Sequence, residues 1–480
     1  MNRRMVIFTL GQMVLLEAVL LLLPILVSAL YGEACIKALA LTAGGCVLVG
    51  ALLMLAGRTK NRVIYAKEGF LIVSLTWISL SALGALPFFI SGEIPNYIDA
   101  FFETVSGFTT TGASILANVE IMSRGLLFWR SFTHWVGGMG VLVFIMAIVP
   151  NVSERSIHII RAEMPGPIVG KLVPRVKDTA KILYLIYIGL TVLEIILLVA
   201  GRMPLYDSIV HAFGTAGTGG FGIKGDSIAS YSPYLQWVIT VFMLLFGINF
   251  NVFYLLLARR FRAAAKSTEI WTYLAIVGVS VAAVAVNIRH MYATLAETVR
   301  LSAFQVASII TTTGYSTCDF NLWPGFSKSV LLVLMFIGAC AGSTGGGLKV
   351  SRLMILVKMG RNELRHLIHP RSVTTVKLEG KQLDAATLHN VANYFILYML
   401  AFFSLFLVVS LDRFDIETDF SAVAACFNNI GPGFGAVGPA ANYAAYSPLS
   451  KIVLSLAMLL GRLEIFPVIL MFVPSTWTKK

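Results

Sequence analysis

Charge is what this chain has least of. Only 13% of its 480 residues are Asp, Glu, Lys or Arg, against 57% hydrophobic, and the mean hydropathy is +0.82. Soluble domains carry about 25% charged residues. A soluble all-helical protein of this composition would have to bury nearly every face of every helix. The composition is that of an integral membrane protein with room for many spans of about 20 apolar residues each. Cysteine is sparse too. Cys35, Cys46, Cys318, Cys340 and Cys426 are scattered, with no CxxC spacing and no histidine cluster beside them. Neither a disulfide framework nor a zinc site is indicated. The seven histidines are dispersed. With no Ser-His-Asp set, no paired catalytic carboxylates and no metal-ligand spacing, a membrane enzyme has no visible reactive cluster. The glycine-rich stretch Gly342–Gly347 resembles a phosphate loop only superficially. GxxxxGK[ST] fails because Leu348, not Lys, follows Gly347.

The N-terminus, Met1-Asn2-Arg3-Arg4 before an apolar run, imitates a signal peptide, with Val27-Ser28-Ala29 as a cleavage site. The run from Met5 to Leu30 is longer than the about 7–15 residues of a signal's apolar region, so a retained first helix is expected. A second apolar segment spans about 36–57, and a basic loop follows with Arg58, Lys60, Arg62 and Lys67. A unit then recurs four times: apolar helix, short polar re-entrant segment, apolar helix. The helix pairs lie near 69–90 and 125–150, 180–201 and 233–258, 270–290 and 326–357, and 389–410 and 448–473. Between them lie the segments 97–114, 206–222, 297–316 and 418–435. The expected organisation is a two-helix N-terminal domain (1–68) and four repeats (69–150, 151–258, 259–381, 382–480), with ten spans in all.

Charge placement tests this map. Arg3, Arg4, the 58–67 loop, the 155–181 loop, Arg259–Lys266, the 349–381 loop and Lys479-Lys480 fall on one side. They hold most of the 37 basic residues and a minority of the 24 acids. Cytoplasmic loops carry the Lys/Arg excess, so both termini are expected inside and all four re-entrant segments outside. The +13 net charge is then explained by topology and anionic membrane lipid rather than by nucleic acid.

The repeats align on Gly112, Gly220, Gly314 and Gly433. Ten residues before these stand Phe102, Val210, Phe304 and Val423; after them come Ala113, Phe221, Tyr315 and Phe434. An internal repeat weighs more on the fold than any local motif. Non-helical backbone at membrane depth is tolerated only where protein or a water-filled cavity receives its polar groups. Glycine takes conformations that aim a carbonyl at an axis, and rings of carbonyls replace an ion's water shell. The expected filter and cation site is therefore Thr110, Thr111, Gly112, Thr218, Gly219, Gly220, Thr312, Thr313, Gly314, Gly431, Pro432 and Gly433. The bland alternative is that these glycines only permit close helix packing.

Ser106-Gly107-Phe108-Thr109-Thr110-Thr111-Gly112-Ala113, Trp129-Arg130-Ser131 with His134-Trp135-Val136-Gly137-Gly138-Met139-Gly140, and Gly338-Ala339-Cys340-Ala341-Gly342-Ser343-Thr344-Gly345-Gly346-Gly347 closely resemble the TrkH potassium-uptake family. The resemblance covers essentially the whole chain, and the two extra N-terminal helices look like TrkH rather than its KtrB relatives. It implies an all-α integral membrane fold: four helix–pore-loop–helix repeats around a pseudo-four-fold pore, plus two N-terminal transmembrane helices. It implies a potassium-selective channel or uptake subunit in the bacterial inner membrane, with K+ as permeant ion and no organic cofactor in this chain. It also implies a homodimer and a cytosolic TrkA-type ring that binds NAD or ATP. Gly at all four aligned positions resembles the potassium-selective members; a Ser at the first marks sodium-preferring relatives.

Four glycines within six residues should break the second helix of the third repeat, since each costs about 1 kcal/mol relative to Ala. In the family the matching loop, here Gly342, Ser343, Thr344, Gly345, Gly346 and Gly347, lies under the filter as a gate. The Arg matching Arg462 faces the pore near it. Glu464 is read as structural, and Glu17 and Glu194 as polar contacts between helices. Asp207, Asp226, Asp412, Asp415, Glu417 and Asp419 either raise the local cation concentration at the outer mouth or are solvated loop charge. A coupled Na+/K+ or H+/K+ carrier remains the alternative, because carriers also use repeats and broken helices.

Overall fold

The computed structural model describes residues 2–59, 65–140, 176–372 and 374–477. Helix dominates, as it must where apolar surroundings leave the backbone to satisfy its own hydrogen bonds. Within the described residues the strands are Lys377–Leu378 and Lys381–Gln382, a short antiparallel hairpin in the long basic loop. The first span runs from Arg3 to Leu20 and on through Leu22–Tyr31, and turns at Gly32 into Ile36–Ala56. The two cross at small residues: a Cβ added to Gly11 would lie 2.8 Å from the Gly50 carbonyl oxygen.

Four units of like plan follow. The outer members of the first are Ala66–Gly84 with its continuation Leu86–Ser91, and Arg124–Gly138. Those of the second are Val176–Ala200 and the pair Pro233–Phe246 and Phe250–Leu257. The third has Thr268–Ile288 and the pair Gly325–Phe336 and Val350–Ile368. The fourth has Ala385–Val409 and the pair Pro448–Arg462 and Phe466–Phe472. Between the members of each unit sits a shorter inserted helix: Tyr97–Phe108, Leu205–Gly217, Leu295–Ile310 and Ile416–Phe427. Each inserted helix starts with an acid in its first turn (Asp99, Asp207, Glu297, Glu417), which suits the positive end of the helix dipole. Three are capped by a side chain, Asn96 on Ile98 N, Thr294 on Glu297 N and Asp415 on Thr418 N.

Burial is distributed as a membrane requires. The inserted helices are packed in protein, with Phe304, Val306, Ala307, Ile309 and Ile310 wholly buried. The first helices of the units expose Ile196, Val279, Val286, Leu400 and Leu407. In lipid such an apolar outer face incurs no hydrophobic penalty.

Among the described residues six helices are long and apolar enough to cross a membrane, or seven if Pro233–Phe246 and Phe250–Leu257 are one span. Ten spans were expected. The difference lies in the second helices. That of the first unit is described as Arg124–Gly138; its expected continuation to 150 lies outside the described residues, as do most of the 155–181 loop, Lys60, Arg62, Lys479 and Lys480. The third is broken over residues 337–349, as the glycines predict. The second and fourth are broken as well, which was not expected. The second bends by 93° at Gly247–Asn249. The fourth breaks at Leu463–Ile465, where Glu464 (φ 59°) and Ile465 (φ 60°) are both left-handed. A β-branched residue in that region is a genuine outlier, and it persists only where surrounding structure over-determines it.

Candidate functional site

The four inserted helices end in the same cap. In each, one residue takes a left-handed φ: Thr110 (55°), Thr218 (54°), Thr312 (60°) and Asn429 (56°). The next residue's N–H reaches back to the helix: Thr111 to Ser106 O (2.9 Å), Gly219 to Gly214 O (2.8 Å), Thr313 to Ser308 O (2.8 Å), Ile430 to Ala425 O (2.8 Å). This is the Schellman arrangement, which normally puts Gly at the left-handed position. Here Thr fills it three times and Asn once. One residue further on, a glycine is again left-handed: Gly112 (80°), Gly220 (73°), Gly314 (83°) and Gly431 (99°).

These glycines close a ring. A Cβ on Gly112 would strike the carbonyl oxygen of Gly219, one on Gly220 that of Thr313, one on Gly314 that of Ile430, and one on Gly431 that of Thr111. Each repeat thus abuts the carbonyl that precedes the equivalent glycine of the next, in cyclic order. The four C-terminal helix ends that converge here carry the negative end of their dipoles, which favours a cation. Gly112, Gly220, Gly314 and Gly431 line one open cavity of about 150 Å³, together with Pro432, Ser114, Ser316 and Arg130.

The register of the fourth segment differs from the sequence alignment by two residues. Gly431 takes the left-handed ring position assigned to Gly433, and Gly433 does not adopt a left-handed φ. Pro432 and Gly433 lie just beyond the ring, and Asn429 and Ile430 take the places that Thr110-Thr111 hold in the first repeat. Sequence alignment missed those two because it matched the aromatic after the glycine, Phe434, instead of the left-handed residue before it. Asn is several-fold enriched at left-handed positions, so Asn429 was the available signal. Hydroxyls bind the first and third segments alike. Thr109 Oγ1 donates to Val105 O and lies 2.8 Å from Thr111 Oγ1; Thr311 Oγ1 donates to Ala307 O and lies 2.8 Å from Thr313 Oγ1. Asn429 Nδ2 donates to Thr111 Oγ1 (2.9 Å) and to Met458 O (2.9 Å), which joins the fourth segment to the first.

On the other side of the ring lies the glycine-rich loop. Gly346 N donates to Thr312 Oγ1 (2.7 Å), directly under the third segment. Several of the loop's other polar groups go to the broken second helix of unit two. Cys340 N donates to Gly247 O (3.0 Å), Thr344 Oγ1 to Phe246 O (3.2 Å), and Phe250 N to Gly342 O (3.0 Å). Two breaks therefore satisfy each other's backbone. Arg462, at the third break, donates to Thr344 O (2.7 Å), Gly137 O (2.6 Å) and Gly138 O (2.6 Å). The structure brings Arg462 and the loop together, and it adds a cation that sequence reading did not single out. Lys349 is buried, with Nζ donating to Gly345 O and to Gly346 O (3.2 Å). Glu269 accepts from Ala341 N (2.8 Å) and Ser351 N (3.1 Å) and so ties both ends of the loop to one carboxylate.

The remaining acids have mostly structural partners. Glu464 pairs with Arg352 at 2.7 Å. Glu17 and Glu194 are wholly buried, Glu17 against Gly84. Asp207 accepts from Tyr231 OH (3.1 Å), Asp412 from Ser447 N (2.7 Å) and Asp419 from Tyr446 OH (2.9 Å); Glu417 pairs with Lys328.

A helical bundle with an apolar outer face and an oxygen-lined ring at the ends of four buried helices defines a multi-pass membrane transport protein. Comparison with known proteins agrees and narrows the class. Residues 37–479 match the family model TrkH, described as cation transport protein. The chain is 37% identical over 484 residues to the Trk system potassium uptake protein TrkH of Salmonella typhimurium, covering 99% of this chain and 100% of the relative. It is 33% identical over 482 residues to the Trk system potassium uptake protein TrkG of Escherichia coli, covering 99% and 98%. The crystal structure of the potassium transporter TrkH from Vibrio parahaemolyticus is similar throughout, with a TM-score of 0.89, 33% identity and full coverage of both chains. The chain belongs to the TrkH family.

The ring register makes a prediction. Gly431→Ala places a Cβ 2.7 Å from Thr111 O at φ +99°, whereas Gly433→Ala meets chiefly the Ser421 and Val437 side chains. Gly431→Ala, which adds about 1–3 kcal/mol of backbone strain, is expected to suppress cation uptake into proteoliposomes far more than Gly433→Ala. The reverse order would put Gly433 back in the ring.

Proposed function

We propose that the chain conducts K+ across a bacterial inner membrane through the ring formed by Thr110–Gly112, Thr218–Gly220, Thr312–Gly314 and Asn429–Gly431. The observation that carries this is the cyclic packing of the four left-handed glycines against one another's neighbouring carbonyls. Carbonyl oxygens held in rings replace the hydration shell of a permeant cation. The relatives' names supply potassium as the cation, and the basic loops support a cytoplasmic location for both termini. Purified protein in proteoliposomes is expected to pass K+ and Rb+ well above Na+ and Li+, and Gly112→Ser to lower that discrimination. Bi-ionic reversal potentials with Na+ as permeant as K+ would refute the reading. Slow, saturable turnover in place of ohmic single-channel current would favour a coupled carrier.

The loop Gly342–Gly347 is the proposed gate, with Arg462 as its latch. The loop is not helical, and three of its backbone groups, Gly342 O, Thr344 N and Thr344 O, bond to the broken helices of units two and four; elements that move are drawn from segments outside regular secondary structure of this kind. The guanidinium holds Thr344 O while its charge opposes cation passage. Arg462→Ala, or a shortened loop, is expected to raise basal Rb+ uptake without any partner and to leave K+ over Na+ selectivity nearly intact. Wild-type flux in both variants would place gating elsewhere.

The partner is proposed to be a cytosolic TrkA-type nucleotide-binding ring docked on the basic inner loops of a homodimer, where anionic lipid also binds. Of that surface the 349–381 stretch is described except for residue 373; Lys349 itself is buried under the ring and lies outside the surface, and the hairpin positions Glu379 against Thr268 N (3.3 Å) and Glu269 N (3.1 Å). Neutralising the exposed basic residues Arg361, Arg365 and Lys381 is expected to reduce co-purification of TrkA. Unchanged association would exclude this surface.

A further inference from the structure

We infer that Glu103 and Arg130 form a buried brace that positions the outer ends of the first two filter segments, and that Glu103 also cancels the Arg130 charge at the cation entrance. This rests on the proposed conduction path. Arg130 is 5% exposed and Glu103 1%, and Arg130 Nε donates to Glu103 Oε1 at 2.6 Å. The carboxylate is otherwise spent on the first filter segment. Its Oε1 accepts from Ser114 Oγ (2.9 Å) and its Oε2 from Ile115 N (3.0 Å). The guanidinium is spent on the second. Nη1 donates to Gly222 O (3.1 Å), and its carbon lies 3.4 Å from the centre of the Phe221 ring. Phe221 stacks on His134 at 4.1 Å, and the His134 ring fills the space a side chain on Gly219 would take. One ion pair therefore connects the residues just beyond Gly112 to those just beyond Gly220, while Arg130 itself lines the entrance cavity.

Among the described residues no other repeat places an ion pair beside its ring glycine in this way. Counting nine residues back from each ring glycine gives Glu103, His211, Gln305 and Ala422. Only the first is acidic, and only beside it does an arginine line the cavity. A fixed positive charge at a cation entrance repels the permeant ion unless it is compensated. Arg rather than Lys fits because its planar fork both stacks and donates in fixed directions. Removing one partner of a buried pair leaves an uncompensated charge, which costs more than removing both.

The test uses full-length wild type, Glu103→Gln, Glu103→Gln/Arg130→Gln and Arg130→Lys, purified as monodisperse protein and assayed for Rb+ uptake and for K+ against Na+. Wild type must first take up Rb+ selectively; if it does not, the conduction reading fails, not this inference. Glu103→Gln is expected to raise the half-saturating Rb+ concentration about tenfold, the effect of one uncompensated charge near the path. The double variant should return that value to near wild type while losing K+/Na+ discrimination. Arg130→Lys keeps the charge and loses the fork, so discrimination should fall with half-saturation unchanged. If Glu103→Gln is not recovered folded, the other two variants decide. Wild-type discrimination in both overturns the inference, as does equal half-saturation in Glu103→Gln and wild type.

Discussion

Everything in this structure depends on four backbones approaching one another where no Cβ fits. At Gly112, Gly220, Gly314 and Gly431 the space for a side chain is taken by a carbonyl oxygen of the next repeat. That approach is possible only because each inserted helix is stopped abruptly, by a left-handed residue that turns the chain back out. The stop uses Thr or Asn where a glycine would cost nothing. The strain is held in place by the reach-back hydrogen bonds and, in the first and third repeats, by paired threonine hydroxyls. The rest of each unit supports this: the first helix offers an apolar face to lipid, and the inserted helix is enclosed by its neighbours.

The second helices answer a different constraint. A helix broken at membrane depth leaves backbone donors and acceptors without partners, and water is not there to receive them. Here the breaks lie beside one another. The loop of unit three bonds to the bend of unit two, and Arg462 at the break of unit four takes up carbonyls from units one and three. An arginine suits this place because it has five donors and no acceptor to satisfy. Arg352 and Glu464, a further pair beside the same breaks, lie on different repeats, and Arg352 also covers the Tyr394 ring at 3.9 Å. Lys451 and Asp99 likewise join the fourth unit to the first. Buried pairs of this kind give little net stability; what they fix is the relative position of repeats that have no covalent reason to align.

Composition and the recurrence of a short glycine-containing segment between apolar helices, Thr-x-Gly in the first three, determined that the chain is a helical membrane protein of four like units, and glycine density located the break in the third. Those features were legible because they are local: hydropathy acts over about 20 residues, and glycine acts on its own backbone. The first three ring glycines were legible for the same reason. The fourth was not, because Asn429-Ile430-Gly431 and Gly433 both offer a glycine near the right place, and only the neighbouring repeat's Thr111 carbonyl selects between them. The breaks at Gly247–Asn249 and Leu463–Ile465 carry no comparable glycine cluster. At Gly247–Asn249 the loop of unit three takes up freed backbone groups, and at Leu463–Ile465 the Arg462 side chain beside the break takes carbonyls of units one and three. The pairing of Glu103 with Arg130 and the three carbonyls at Arg462 were likewise beyond the sequence. They join residues that are 27 apart in the first case and 118 to 325 apart in the second. Such partners are chosen by which groups the packed repeats leave buried, and that is settled only in three dimensions.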